Sequence, residues 1–422
     1  MKKFRSLKNQ NSQSGMAILM VLFFVTMIFF LASEVAYEST VEYEFSYADY
    51  RQLKAYQGAK SAVELSMFRI MLFKQAQAQF GSQIPDKSML DLVWNFPLMW
   101  PPQLPEDASL VSKDDLKSVM EDSLQDTNWM ATISAEGAKI DLNDLDSPSE
   151  ALRKSVQKQI EQLIKNRLDQ EDDWARDNRN LVPEEIVAHM VDYVDKNDES
   201  LIGGGESSYY RESSLDSSLP PNRMFRTMDE LYLIPGMDSV LYEYLSPNLS
   251  LYGIRAINVN AASTEVLKSI DPQITDELAK EIKNRINNPE EGPFADDKDF
   301  ESFISRDVDI NSFNPDKIPL VFNEEAAFRI EVTSEYKSYV SSITAITYDI
   351  DQITKSLETT LVTEANEKQA NNNTNNTNNN NTNNTKANNQ NNSQNNNQTN
   401  NNQNSKNTAK QEKPRLVFWQ EN

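Results

Sequence analysis

The chain has no cysteine among its 422 residues. Disulfides and thiolate metal sites are therefore excluded, and the redox compartment stays unmarked. It has one histidine, His189, which rules out any mechanism that needs a His pair or cluster. No nucleophile motif or paired-acid site accompanies it, so His189 is expected to be structural and the chain is expected not to be an enzyme. Positive charge is also short: 41 Lys and Arg stand against 64 Asp and Glu, net -23. Such a surface repels phosphate and argues against a nucleic-acid partner. It suits a soluble body that meets cations or basic patches on other proteins. The length allows two or three cores.

Acid is missing where it would be most visible, at the start. The first 15 residues carry Lys2, Lys3, Arg5 and Lys8, and no acid appears before Glu34. Met16 to Ala32 is an apolar run broken only by Thr26. At 1.5 Å per residue it reaches ~25 Å as a helix, the short end of a membrane span. Basic residues before it and Glu34, Glu38, Glu42 and Glu44 after it put the start in the cytoplasm and the body outside. A secretory signal would end in a small-x-small cleavage site, which Leu31-Ala32-Ser33 supplies only weakly. Proline is also absent until Pro85. Ala48, Gln52, Ala55, Ala59, Ala62, Ser66, Ile70 and Phe73 recur at spacings of three and four, which predicts one helix of about 60 residues, apolar first and amphipathic later. The small-residue face around Ala55, Ala59 and Ala62 is expected to pack against partner stems.

The basic leader followed by Ser14-Gly15-Met16 resembles the signal of type IV prepilins and pseudopilins. That resemblance implies cleavage after Gly15 by a prepilin peptidase and methylation of the new N-terminus at Met16. Most pilins carry Glu at the fifth mature position, where this chain has Met20. In a filament that Glu compensates the ammonium of the subunit above, a buried pair that is costly when half-made. A subunit with nothing above it needs no such acid, so the departure points to a tip position.

Residues 81–126 read as loop with a short helix near 113–123. Trp129–Ser134 and Lys139–Asn143 flank Glu136-Gly137, a hairpin signal. From about 149 to 300 the periodicity is helical, with Ser149 as an N-cap and Pro183 opening a second helix. Thr227–Leu245 and 257–304 resemble helix-hairpin-helix units. DNA-binding versions need Gly-x-Gly in the hairpin. Asp271-Pro272-Gln273-Ile274-Thr275 has no glycine, and the first unit keeps only Gly236, so these units read as packing or protein-binding elements. Strand character returns at Ala327–Thr333 and Tyr339–Ile350. Residues 366–413 form an Asn-rich tract that cannot drive a core and is expected to be disordered. Arg415-Leu416-Val417-Phe418-Trp419 then reads as a final strand returned to the sheet across a long insertion, which the logarithmic loop-closure cost tolerates. Trp94, Trp100 and Trp129 are expected in the core or an interface.

The order is thus leader 1–15, transmembrane and stem helix 16–80, and the first part of a pilin-like αβ domain 81–148. An inserted α-helical domain follows at 149–325, then the pilin-like strands at 326–365, the tract at 366–413 and a last strand at 414–422. The fold class is α+β: an antiparallel sheet with a large helical insertion. This layout resembles the general secretion pathway protein K (GspK) family, the large minor pseudopilins of type II secretion. The segments that carry the resemblance are Val191–Glu199, Gly204-Gly205-Glu206 with Tyr209-Tyr210, Pro220–Asn222, Asp229–Met237 and Ile257–Ser263. The family also lacks the acid that Met20 replaces. The Asn-rich insertion and the 81–126 segment depart from it. The resemblance implies an inner-membrane, single-pass protein with a periplasmic body that caps the pseudopilus tip. Its partners would be the smaller minor pseudopilins of the I and J types, the major pseudopilin and the inner-membrane secretion platform. A minor pilin of a type IV pilus, built on the same stem for adhesion or motility, is the alternative.

Asp195-x-Asn197-x-Glu199 closes a helix with oxygen side chains at alternate positions, as at the start of a calcium loop. Gly203–Gly205 permits a tight turn that returns Glu206 to the same cation. The full EF-hand pattern is absent. Asp195, Asn197, Glu199 and Glu206 are the expected Ca2+ ligands, with Asp192 one turn back as a weaker candidate, and the family resemblance also implies calcium on the helical domain. Mg2+ is disfavoured because nothing here holds a phosphate.

Overall fold

A computed structural model describes residues 13–80, 93–102, 113–123, 125–170, 172–212, 219–252, 254–288, 290–315, 317–322, 325–377 and 414–421. The basic leader through residue 12, most of 81–112 and the Asn-rich tract from 378 lie outside them. The stem helix Gln13–Phe80 is 68 residues long, about 100 Å at 1.5 Å per residue. Its first turns are apolar all round, and from Met16 to Leu31 their large apolar side chains are exposed. Its most apolar 18-residue stretch has a mean hydropathy of 2.7, and it is the one described helix long and apolar enough to cross a membrane.

The later stem turns narrow to one apolar stripe. Ala55, Ala59, Ala62, Val63, Met67, Ile70 and Phe73 are buried against a five-stranded sheet. The strands are β1 (Leu98–Trp100), β2 (Asn128–Ala135), β7 (Ala327–Tyr336), β8 (Tyr339–Tyr348) and β9 (Arg415–Glu421), in the order β1-β2-β7-β8-β9 with every neighbour antiparallel. Small residues let helix and sheet approach closely: a Cβ added at Gly58 would lie 2.4 Å from both Ser334 Oγ and Thr127 Oγ1. The face of Ala55, Ala59 and Ala62 therefore meets the chain's own sheet and not a partner stem, which corrects the expectation above. Along β2, Trp129, Ala131, Ile133 and Ala135 are buried in strict alternation, the period-two signature of a half-buried strand. Trp94 is buried beside Phe73 and Phe328, and Trp100 packs at the margin of the same core. The short helix of the 81–126 region is Lys113–Asp122.

The expected hairpin around Glu136-Gly137 does not form. β2 pairs along its whole length with β7, from Asn128↔Glu335 to Ala135↔Phe328. Residues 136–138 make a 3-10 turn, and β3 (Ile140–Asp141) pairs in parallel with β4 (Leu249–Ser250). Eight ladder positions with β7 outweigh a two-residue local turn. The chain thus leaves the sheet at Ala135 and re-enters at Ala327 on the adjacent strand. The insert starts at Glu136, earlier than residue 149, and holds β5 (Ile257–Asn258) and β6 (Leu320–Val321), also a parallel pair. Its helices surround a separate apolar core that includes Ile160, Leu163, Met190, Tyr193, Leu241, Val266, Ile282 and Phe300. Caps follow the sequence: Ser149 Oγ accepts from Leu152 N and Thr275 Oγ1 from Leu278 N, and Pro183 opens Pro183–Val194. At the turn between Thr264–Ile270 and Asp276–Ile286, buried Asp271 accepts from the amides of Gln273 and Asn314.

A polar layer separates the two cores at the crossing. Glu136 is fully buried and accepts from Arg329 Nε at 2.7 Å and Nη2 at 2.9 Å, and from Ser250 Oγ at 2.9 Å. Lys139 Nζ lies 3.4 Å away. Glu325 accepts from the amides of Gly137 and Ala327 and from Asn258 Nδ2, so one carboxylate ties the outgoing chain to the returning one. A Cβ added at Gly137 would sit 2.7 Å from Glu325 Oε1, so any larger residue would displace this hydrogen-bonded carboxylate.

Beyond β8 the chain turns helical at Ile350–Thr377, a correction to both the strand region through 365 and the disordered tract from 366. Ile350, Ile353, Leu357 and Leu361 recur at helical spacing, and Ile353 is buried. Lys74–Asp349 pairs at 2.5 Å at one end. Further along, Glu364 accepts from Ser149 Oγ and from Ala151 N, capping the helix Glu150–Leu168.

Candidate functional site

Three acids converge at the far end of the helix Pro183–Val194. Asp192 lies on its last turn, Asp195 is its C-cap, and Glu206 opens the helix Glu206–Glu212. One carboxylate oxygen from each lies within 4.8 Å of the others. Asp192 and Asp195 are three apart, so helical geometry puts them on one face. Glu206 returns through a turn in which Gly203 and Gly204 adopt φ of +94° and +87°, a region that glycine enters without strain. Glu199 and Gly205 form a β-bridge across it, and Ser200 N donates to Gly204 O at 3.1 Å.

The surroundings hold the acids but leave one unserved. Asp192 is fully buried and accepts from Ser200 Oγ at 2.6 Å and Leu201 N at 3.2 Å. Asp195 accepts from Asn197 N and Nδ2. Glu206 is 2 % exposed, and neither of its oxygens meets a hydrogen-bond donor. Burial, then repulsion from Asp195, Asp192 and Asp198, pushes its carboxyl up to about 8. Burial likewise raises Asp192 and Asp195, and for Asp195 the charge of Asp192 adds to the effect.

Of the expected ligands, Asp195 and Glu206 meet in this cluster. Glu199 is exposed and is not among the three converging acids. Asn197 spends its amide locally, donating to Asp195 and accepting from Glu199 N at 2.7 Å. Asp192 takes a full place in the cluster, and its i, i+3 spacing to Asp195 was the signal for it. Gly15 and Met16 lie exposed in the first turns of the stem helix. His189 packs edge-on and tilted against the rings of Tyr210 and Tyr209, and its backbone carbonyl accepts from Tyr210 Oη at 2.8 Å.

Four of the five segments quoted above meet around this cluster, while Ile257–Ser263 lies at the Glu325 layer. Tyr193 stacks on Phe225 at 4.5 Å and donates to Glu230 Oε2 at 2.7 Å. Arg223 N donates to Tyr193 O, and Asn222 Nδ2 to Asn197 O at 2.8 Å. A cavity of about 820 Å3 lies elsewhere, along Ile350–Thr377, and shares no residue with the acids.

A helical insert crossing out of an antiparallel sheet that packs on a long stem helix defines a pilin-like α+β protein. Residues 138–253 match the family model described as type II secretion system (T2SS), protein K. That segment covers roughly the first three fifths of the insert, holds all three acids, and is similar to protein K of the type II secretion system. A chain from the crystal structure of the GspK-GspI-GspJ complex of the enterotoxigenic Escherichia coli type 2 secretion system is similar in structure. The likeness has a TM-score of 0.49 and 18% identity, covering 72% of this chain and 93% of that chain. No curated protein sequence matches.

Proposed function

We propose that the chain caps the tip of a type II secretion pseudopilus and promotes its assembly. The observation that carries this reading is the protein K segment at 138–253, built as an insert between β2 and β7 on a membrane-length stem. Met20 supports a tip position, since no acid precedes Glu34 to compensate a neighbour's ammonium. In this reading the N-terminus is cytoplasmic and a prepilin peptidase cleaves between Gly15 and Met16. The body stands in the periplasm above the inner-membrane platform, and I- and J-type minor pseudopilins join it over the major pseudopilin. The full chain, solubilised in detergent and pulled down, should recover smaller minor pseudopilins in near-equal amounts. Met20→Glu should gain nothing in assembly. Recovery of long homopolymers would contradict a cap.

Calcium on the insert belongs to the same reading. The donor set is all hard oxygen, and the unserved buried carboxylate of Glu206 suits a divalent cation. Asp192, Asp195 and Glu206 would hold it; Asn197 would order Asp195 from outside. Neutralising three crowded acids would stabilise the loop by mass action.

A further inference from the structure

The sheet ends on a strand that arrives from far along the chain. Between Thr377 and Pro414 lie 36 residues with no side chain that is aliphatic or aromatic beyond alanine. At about 3.4 Å per residue they can span up to ~120 Å, several times the ~24 Å width of five strands. The connection therefore fixes neither the register of β9 nor its place beside β8. Only the contacts of the strand itself do.

Those contacts are those of a peptide laid on an edge. Arg415 and Leu416 pair with Tyr348 and Thr347, and Phe418 to Glu421 pair with Ile346 to Ile343. The register shifts between the two blocks, at Val417, and such a bulge re-aims the residues that follow. Phe418 meets the ring of Tyr252 at 5.8 Å. Trp419 packs at the margin of the sheet core and donates from Nε1 to Glu421 Oε1 at 2.8 Å. Tyr56 Oη donates to the same oxygen at 3.0 Å. Leu416 and Val417 stay 39% and 47% exposed. β2 and β7, by contrast, bury every second residue.

We propose that the edge of β8, flanked by Tyr252 and Tyr56, is a peptide-binding site of the β-addition kind. Its ligand class is an extended peptide with two adjacent aromatic residues and a following acid. Arg415–Glu421 is the occupant the chain supplies to itself. Main-chain pairing gives such a site its affinity and side-chain seats its specificity. Tethering raises the local concentration of the resident strand, so a peptide in trans competes poorly until the tail is weakened.

The test uses the full chain in detergent and a labelled synthetic peptide of residues 414–422. Phe418→Asp in the chain weakens its own tail and leaves β8, Tyr252 and Tyr56 intact. The peptide should bind that variant about tenfold or more tighter than the wild type, and a peptide carrying the same Phe418→Asp change should not bind. In the unaltered wild type, amides of 416–420 should exchange with deuterium about tenfold or more faster than those at the centre of β7. No saturable binding to a folded Phe418→Asp chain overturns the proposal. So does wild-type exchange of 416–420 at the β7 rate, which makes β9 an integral strand and stands even where the variant fails to fold.

Discussion

Replacing Arg329 by leucine removes the principal counter-charge of a carboxylate that has no access to water. Glu136 is fully buried and takes two of its hydrogen bonds from the Arg329 guanidinium. Burial alone would push the Glu136 carboxyl up, but Arg329, with Lys139 and Ser250, more than offsets it and holds the group below its usual range. Stripping one partner from a buried ion pair typically costs 3–5 kcal/mol, because the other charge stays behind. Lys139 at 3.4 Å and Ser250 at 2.9 Å remain, so the lower end applies, about 3 kcal/mol. In a body of roughly 300 residues that is a fall of about 5 °C in the melting temperature. Urea unfolding of the purified chain, followed by tryptophan fluorescence, reads it directly. Adding Glu136→Gln should recover more than half of the loss, since the stranded charge is then gone. A single-variant cost under about 1 kcal/mol, or a double variant worse than Arg329→Leu, would refute the claim that this pair is buried and mutually dependent.

Glu325 gives the pH dependence. Burial, partly offset by Asn258 and the amides of Ala327 and Gly137, lifts its carboxyl from 4.5 to about 7. The folded state therefore holds a proton that the unfolded chain releases. Stability is full below about 4.5 and falls as pH rises through about 7, by at most about 3 kcal/mol. Glu325→Gln should flatten that slope between pH 5 and 8, and an unchanged slope would remove Glu325 as its source. At the acidic cluster, millimolar calcium should raise the melting temperature over chelator by an amount worth about 2–3 kcal/mol if it exceeds its dissociation constant a hundredfold. Asp195→Ala should abolish most of that rise, and magnesium should substitute poorly. Glu206→Gln should stabilise the chelated chain while losing the response; no calcium effect on the wild type would leave an ordinary acidic loop. Gly15 to a bulky residue such as valine should block maturation and secretion together, and N-terminal sequencing should find Met16 first in the wild type. A start near residue 33, or retained Met1, would contradict the processing site.

Sequence reading succeeded where the pattern was long and periodic. Ala55 to Phe73 read as one helical face because six positions repeat at three and four, and Ala327–Thr333 alternates cleanly. The partner of each face was another matter. Ala55, Ala59 and Ala62 suit any close approach of backbones, and periodicity cannot tell a neighbour's stem from the chain's own sheet. The hairpin failed for a related reason: Glu136-Gly137 is a local turn signal, while β2–β7 pairing is set by residues almost two hundred positions away. Two-residue strands such as β3 to β6 leave no readable period. Ile350, Ile353, Leu357 and Leu361 did carry a helical period, masked by the Asn-rich sequence that follows. At the cluster, alternate-position spacing favoured Asn197 and Glu199 because it follows a loop pattern. The i, i+3 relation of Asp192 to Asp195 belongs to the helix, and Glu206 needed the Gly203-Gly204 turn to come back.

The two cores of this chain differ in what joins them. The stem and sheet form one apolar cluster and the insert another, and the layer between them is ionic and hydrogen-bonded. An apolar junction would be at least as stable but indifferent to small rotations, since the hydrophobic effect has no direction. Here the direction is set by acceptors whose donors come from both sides. Arg329 stands on β7 and Ser250 on β4, and both serve Glu136. Gly137, Ala327 and Asn258 all serve Glu325. From β4 the same kind of contact continues outward. Asn143 Nδ2 donates to the carbonyls of Leu251 and Phe225 and its Oδ1 accepts from Phe225 N, and Phe225 lies stacked on Tyr193, one residue from Asp192. A buried polar layer of this kind is poor at adding stability and good at specifying one arrangement, provided every member is satisfied. The layer between stem-and-sheet and insert therefore favours one orientation of the insert over extra stability.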